Sequence, residues 1–281
     1  VAERVSRAVL VTGCSSGIGA ATAERLSRNG WTVYATARRL ETLDGLRAAG
    51  CRTLPLDVTD EASMQAAVAA VEAECGAVGV LVNNAGYSQD GAVEEVPIAE
   101  LRRQFETNVF GLWRMCQLVL PGMRRQRWGR IVNVGSMGGR LTFPGGGAYH
   151  ATKHAVEAIS DALRFEVSGF GVHVALIEPG LIVTRFGDTA VGTMDHGEGP
   201  YADFHRAVAE RTLGAYAGAM AKLAGGPPTA VARVIERAIS SRSPRPRYRV
   251  TASAWAMLGI RRVLPDRAFD AFLATQYPRP K

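Results

Sequence analysis

Ala8-Val9-Leu10-Val11-Thr12-Gly13-Cys14-Ser15-Ser16-Gly17-Ile18-Gly19 joins an apolar run to a cluster of three glycines. The run reads as a buried strand, and 20–29, closed by Gly30, reads as the helix that follows. Glycines at 13, 17 and 19 let the backbone turn tightly and approach a pyrophosphate, towards which the helix points its first N–H groups. The stretch Gly13, Ser15, Ser16, Gly17, Ile18, Gly19 is therefore a candidate phosphate-binding turn. Its spacing is G-x3-G-x-G and differs from the G-x-G-x-x-G fingerprint. A glycine-rich turn can also be only a turn; the position after a strand and before a helix is the context that a binding role requires.

Outward from this stretch, the same alternation repeats. Strands are expected at 32–36, 52–56, 80–82, 131–134, 172–177 and 248–251, with helices at 41–49, at Met64-Val68-Val71 spacing, at 98–123, 148–168 and 229–240. Strands that are apolar throughout suit a parallel sheet covered on both faces. The expectation is an α/β fold, one Rossmann-type domain over 1–281, doubly wound about a parallel sheet of about seven strands. Residues 185–225 break the rhythm, rich in Gly, Ala and Met without a clean period, and are a candidate substrate lid or else a plain surface loop.

Composition narrows the function classes. Of 281 residues, 47% are hydrophobic and 21% charged, which argues against disorder, collagen or coiled coil. No apolar run approaches the ~20 residues of a membrane span, and Ala8 to Val11 is too short for a signal-peptide core. A cytoplasmic protein is expected. Cys14, Cys51, Cys75 and Cys116 are scattered, so free thiols and no metal site are expected. His150 and His154 share a helix face but lack a third ligand. The net charge of +7 lies wholly in residues 240–281, with nine basic and two acidic side chains, so nucleic acid is not indicated. That basic C-terminal extension (about 252–281, with Arg242, Arg245, Arg247 and Arg249 ahead of it) packs on the body or touches acidic lipid or a partner.

Four further groups of residues carry chemistry: Asn83-Asn84-Ala85-Gly86 after the fourth strand, Asn108 in a long helix, Ser136 after the fifth strand, and Tyr149 with Lys153 on the next helix. Tyr149 and Lys153 are i and i+4 and share one face, so an ammonium near the phenol is expected to bring its pKa down towards operating pH. Such a phenol can give a proton to a carbonyl oxygen or take one from an alcohol.

T-G-x3-G-x-G, N-N-A-G and Ser followed by Y-x3-K, in this order over about residues 8–184, resemble the short-chain dehydrogenase/reductase family. The resemblance implies a nicotinamide oxidoreductase with Tyr149 as acid/base and Lys153 also on the nicotinamide ribose. It further implies Ser136 on the reacting oxygen and Asn108 supporting a proton-relay water. It carries cofactor contacts to Asn84, Ala85 and Gly86, to Asp57 and Val58 near the adenine, and to Pro179, Gly180, Ile182 and Thr184 near the carboxamide. Where NAD-using members tend to place an acid, this chain has Ala37, followed by Arg38 and Arg39. A guanidinium matches a 2′-phosphate that an acid would repel, so NADP(H) is expected over NAD(H). An aspartate common before the fourth strand is replaced by Gly79, which puts local stability in question.

Tyr87, Met137, Phe143 and Phe186, with Leu141, Met194 and Tyr201, suggest an apolar pocket for a ketone, aldehyde or secondary alcohol. Residues 33–38 and the C-terminal extension are similar to the 17β-hydroxysteroid and retinol dehydrogenase branch. The resemblance also implies a homodimer or homotetramer, through the helices near 98–123 and 148–168. Two other readings stay open: an NADP(H)-binding sensor with little turnover, and a peripheral membrane lipid, steroid or retinoid dehydrogenase anchored by Trp255 to Ile260.

Overall fold

The computed structural model describes residues 5–184, 186–194, 198–217 and 223–280. Seven strands, β1 (Val9–Val11), β2 (Val33–Ala37), β3 (Arg52–Pro55), β4 (Val80–Asn83), β5 (Gly129–Val134), β6 (Val172–Pro179) and β7 (Arg247–Val250), form one sheet. The order is β3-β2-β1-β4-β5-β6-β7, and every pairing is parallel. The helices around it are α1 (Gly17–Arg28), α2 (Asp44–Ala48), α3 (Glu61–Cys75), α4 (Ile98–Phe105), α5 (Gly111–Arg125) and α6 (Gly147–Glu166). They continue with α7 (Phe186–Val191), α8 (Ala202–Ala217), α9 (Pro228–Ser240), α10 (Ala252–Val263) and α11 (Asp266–Ala274).

The period of two decides which side chain enters which core. Val9, Val11, Val80 and Val82 face a cluster with Ala23 and Leu26 of α1 and Val231 and Ile235 of α9. Leu10, Leu81 and Ile131 face the opposite cluster, with Val68 of α3, Met115 and Val119 of α5 and Val156 of α6. Both faces are covered, which is why the strands carry no polar alternation. Strand order reverses between β1 and β4, so the loops after them part and leave a crevice at the carboxyl end of the sheet.

The long helix expected at 98–123 is interrupted: α4 and α5 are joined by a π-turn over Glu106–Phe110 that contains Asn108. Periodicity alone does not reveal an inserted residue, and such turns concentrate at functional sites. The segment 185–225 is more regular than its composition suggested, holding α7 and α8; 185, 195–197 and 218–222 lie outside the described residues. Met194, Phe204 and Val208 form a small third core with Ala92, against which Tyr201 and Tyr277 pack. Gly79 has a packing reason: a Cβ there would lie 2.1 Å from the Ser6 carbonyl oxygen, where the chain crosses before β1.

Two arginines ahead of the basic extension are tied to the body. Arg247 pairs with Glu157 (3.1 Å) and Glu178 (3.4 Å), and Arg249 pairs with Glu178 (3.3 Å) and lies over the Trp255 ring at 4.8 Å. Arg261 pairs with Asp266. Ala254 and Leu258 of α10 are buried, which takes part of the expected membrane anchor inward. No helix among the described residues is long and apolar enough to cross a membrane.

Candidate active site

The glycine turn closes one wall of the crevice. Gly13 (φ +72°) and Gly17 (φ +61°) hold left-handed backbone. A Cβ on Gly13 would lie 2.8 Å from Ala85 Cα, and one on Gly19 would lie 2.3 Å from the Gly13 oxygen, so both close approaches require glycine. Thr12 Oγ1 accepts the amides of Asn84 and Ala85, both at 3.0 Å, and Asn84 Nδ2 donates to the Thr12 and Gly13 carbonyls. Asn84 and Ala85 thus brace the turn, and Thr12 is a hub that reading for ligand contacts passed over. Ser15 and Ser16 are exposed. Ser16 caps α1 without a side-chain hydrogen bond, and the first turn of α1, with Ile18, has no acid. Open amides, partial positive charge and backbone bare of side chains fit a dinucleotide's pyrophosphate.

Around this cradle the expected contacts divide. Thr184 Cγ2 would lie 3.5 Å from a Cβ on Gly17, bringing the segment after β6 to the turn. Ile182 is buried in the core, so only its backbone is free for a ligand. Pro179 ends β6, and a Cβ on Gly180 would lie 2.4 Å from Ser253 Oγ, a packing role. The Cys14 amide donates to the Thr36 carbonyl (2.7 Å), fixing the end of β2 beside the turn, where Arg38 and Arg39 are exposed. Arg39 lies 3.8 Å from Glu41; no carboxylate among the described residues pairs with Arg38. Asp57 Oδ1 accepts the amide and hydroxyl of Thr59 at 2.9 and 2.8 Å, and Val58 packs on Gly111.

Ser136, Tyr149, Lys153 and Asn108 converge across the crevice. Ser136 Oγ accepts the Gly138 amide at 3.0 Å, which leaves its own proton to donate. Lys153 Nζ donates to the Val134 carbonyl (2.9 Å) and lies 5.7 Å from the centre of the Tyr149 ring. Asn108, only 2% exposed, holds the backbone of Tyr87 with both ends of its amide, 3.2 Å at Oδ1 and 3.0 Å at Nδ2, and donates to Thr152 Oγ1. Its side chain is committed to these partners. A Cβ on Gly86 would stand 3.0 Å from Asn108 Oδ1 and 3.9 Å from Lys153 Nζ, so only glycine leaves this space open.

The expected lowering of the phenol pKa is not what the fold produces. Burial pushes Tyr149 up to about 12, against the opposing hydroxyl of Ser136, and the charge of Asp90 raises it further. Burial also pulls Lys153 down to about 8. Desolvation penalises both charged forms, and the ammonium is engaged with a carbonyl instead of the phenol.

Among the expected substrate contacts, Phe186 meets the Tyr149 ring edge-on at 5.4 Å, and Phe143 is 5.9 Å from His150, itself 5.6 Å from Tyr149. Met137 starts a tight turn that Ser136 caps. Tyr87 is turned under Arg103, 5.8 Å from its guanidinium. Leu141 is core, at 2% exposure, while Met194 and Tyr201 belong to the third cluster. His150 locks the Gly138 carbonyl at Nδ1 (2.9 Å), and no metal-binding group of three ligands occurs among the described residues. A cavity of about 570 Å³, lined by Phe143, Gly147, Tyr201, Phe204, Phe269 and Leu273, opens between the 137–147 loop, α8 and α11. Sequence reasoning missed Tyr216, 6.0 Å from Phe186, and Asp90, the first acid after the Asn83–Gly86 turn.

The comparisons agree with this geometry. The uncharacterized oxidoreductase YbbO of Escherichia coli K12 is 36% identical over 275 residues, 96% of this chain and 94% of that protein. A short-chain dehydrogenase structure from Streptomyces avermitilis is 36% identical, with TM-score 0.79 and coverage of 96% and 97%. The closed form of serine dehydrogenase complexed with NADP+ is 29% identical (TM-score 0.75, 87% and 94% covered). A chain from Burkholderia phymatum in complex with NAD is 26% identical (TM-score 0.77, 99% and 98% covered). A nicotinamide dinucleotide suits the glycine cradle on both counts. The short chain dehydrogenase family model matches residues 7–194, from β1 through the Tyr149–Lys153 helix, and the chain belongs to that family of oxidoreductases.

Proposed function

We propose that the chain transfers hydride between NADP(H) and a carbonyl/alcohol pair, with Tyr149 as general acid/base. The observation that carries the reading is the convergence of a buried phenol, a serine hydroxyl with a free proton and a lysine ammonium beside the glycine cradle. When bound, nicotinamide supplies or accepts the hydride at the carbonyl carbon. Ser136 donates to the substrate oxygen and holds it near Tyr149. The phenol, kept protonated by burial, gives its proton to that oxygen as the alcohol forms. Lys153, charged below about pH 8, stabilises the resulting phenolate and faces the space at Gly86 and Asn108 through which a proton returns.

Arg38, exposed just after β2 with no carboxylate partner among the described residues, supports NADP(H) over NAD(H) through the 2′-phosphate. The residues from α7 to α8 act as the substrate lid, with Phe186 as its contact on Tyr149. Phe110, Trp113 and Phe165 are exposed on the π-turn, α5 and α6, and suit a homodimer or homotetramer through those helices.

Initial rates of NADPH and NADH oxidation against a panel of ketones and aldehydes test the reading. Turnover with NADPH should fall by about 10²–10⁴-fold in Tyr149→Phe. Undiminished turnover in that variant, or a clear preference for NADH, overturns the corresponding part.

A further inference from the structure

Asp90 is a buried ionisable group near Tyr149 to which the proposed chemistry assigns no task. It follows the Asn83–Gly86 turn by four residues, and 8% of it is exposed. Its loop is pinned on several sides. The Asp90 amide donates to Thr193 Oγ1 (2.9 Å), the Gln89 amide to Gln104 Oε1 (2.7 Å), and the Gly91 amide to the Gly145 carbonyl (2.7 Å), four residues before Tyr149. The carboxylate accepts from Ser88 Oγ. No Arg, Lys or His among the described residues lies within ion-pair distance of it, and no backbone amide caps it. Its negative charge is felt at Tyr149, Tyr216 and Tyr277, which gathers it with three phenols, and Phe186 packs against the first two.

The carboxylate lines a cavity of about 360 Å³ together with Glu95, Glu100, Arg103, Thr193 and His205. Arg103 is engaged with Glu100. His205 Nε2 accepts the Ala92 amide at 2.9 Å. Glu95 has His205 at 3.4 Å, so Asp90 is the acid of this cavity without a basic neighbour among the described residues. A buried acid that serves structure is ordinarily paired or held by several donors, because an unpaired one is costly. Asp90 has one hydroxyl donor among the described residues, Ser88, in a loop tied through the Gly91 amide to the Gly145 carbonyl ahead of Tyr149.

We propose that Asp90 receives a cationic nitrogen of the substrate, which makes the substrate class an amino ketone or amino alcohol whose ammonium lies close to the reacting carbon. The inference rests on Tyr149 being the acid/base and replaces a wholly apolar substrate with one that is apolar apart from this charge. An ammonium entering the site pairs with the carboxylate; a methyl of the same size leaves it buried and unpaired, and a site built this way rejects the analogue.

The matched pair 2-amino-1-phenylethanol and 1-phenylpropan-1-ol, an ammonium against a methyl, tests this at pH 7. Calorimetry with the NADP+-loaded protein should give at least tenfold tighter binding of the amine, and kcat/KM for oxidation with NADP+ should show the same ratio. Asp90→Asn should bring both ratios near one and Asp90→Glu should restore part of the preference, while unchanged NADP+ affinity reports an intact fold. Equal affinities in the wild-type protein, including no measurable binding of either compound, or a preference that survives Asp90→Asn, overturn the inference. Asp90-dependent amine binding without turnover of any carbonyl or alcohol sinks the oxidoreductase reading alone. Turnover of 1-phenylpropan-1-ol with no amine preference sinks only the role of Asp90.

Discussion

Glu178 and Asp90 are both buried acids, and they differ in where their counterpart comes from. Glu178, on β6 and 0% exposed, has Arg249 at 3.3 Å, Arg247 at 3.4 Å and Arg140 at 4.0 Å. Glu157 on α6 shares Arg247 with it, and burial with the neighbouring Glu178 charge pushes Glu157 up to about 7 against that arginine. Here the sheet edge is tied to α6 by charges that the chain supplies to itself. Asp90 has the burial without a cation among the described residues, and burial pushes it up to about 6 with Ser88 opposing. A buried charge matched from within is architecture. One left unmatched beside Tyr149 costs stability, the expected mark of a site shaped for something outside the chain.

The largest effect that would break this contrast is on the architectural side. Arg247→Met leaves Glu157 and Glu178 short of a partner and should cost about 3–5 kcal/mol by denaturant unfolding. A loss below about 1 kcal/mol would mean that Arg249 and Arg140 suffice. Asp90→Asn should do the opposite and stabilise by about 1–3 kcal/mol above pH 6, since a tenfold difference in proton affinity between folded and unfolded chain is worth about 1.4 kcal/mol. The sign follows from a folded pKa above the unfolded one. Below about pH 4 both states are protonated and the variant gains nothing. Between about pH 4 and 6 the folded protein holds a proton that the unfolded chain releases, so wild-type stability falls as pH rises and the variant's advantage grows. A pH-independent difference would show that the carboxylate is not the cause. The smallest effect concerns Arg38, which like Asp90 has no charged partner among the described residues: Arg38→Ala should leave unfolding unchanged and lower the NADPH-over-NADH ratio of kcat/KM by about tenfold. An unchanged ratio would hand the 2′-phosphate to another group.

Much of the fold was legible because burial on two faces leaves a plain trace. Val9 and Val11 alternate with Leu10 between two apolar cores, and similar runs recur at 80–82 and 131–134. Glycines at 13, 17 and 19 and the pair Tyr149 and Lys153 could be placed because strand ends and helix spacing position them. The roles of neighbours were harder to see. Asn84 braces the glycine turn through its side chain, Asn108 spends its amide on Tyr87, and Ile182 packs in the core. Each depends on a hydrogen bond or contact across dozens of residues, which local pattern does not encode. For the basic tail, packing on the body and contact with lipid or a partner were equally compatible with charge counting, which sees Arg247 and Arg249 but not the carboxylates beneath them.

From the sequence alone came the order of strands and helices along the chain, the glycine turn, and the residue types able to move a proton. All of these depend on spacing within one or two elements. The tertiary structure decided which charges are satisfied, the protonation preference of Tyr149 and Lys153, and the isolation of Asp90. Those are consequences of desolvation and of long-range pairing, and both exist only once distant segments have closed over the same volume.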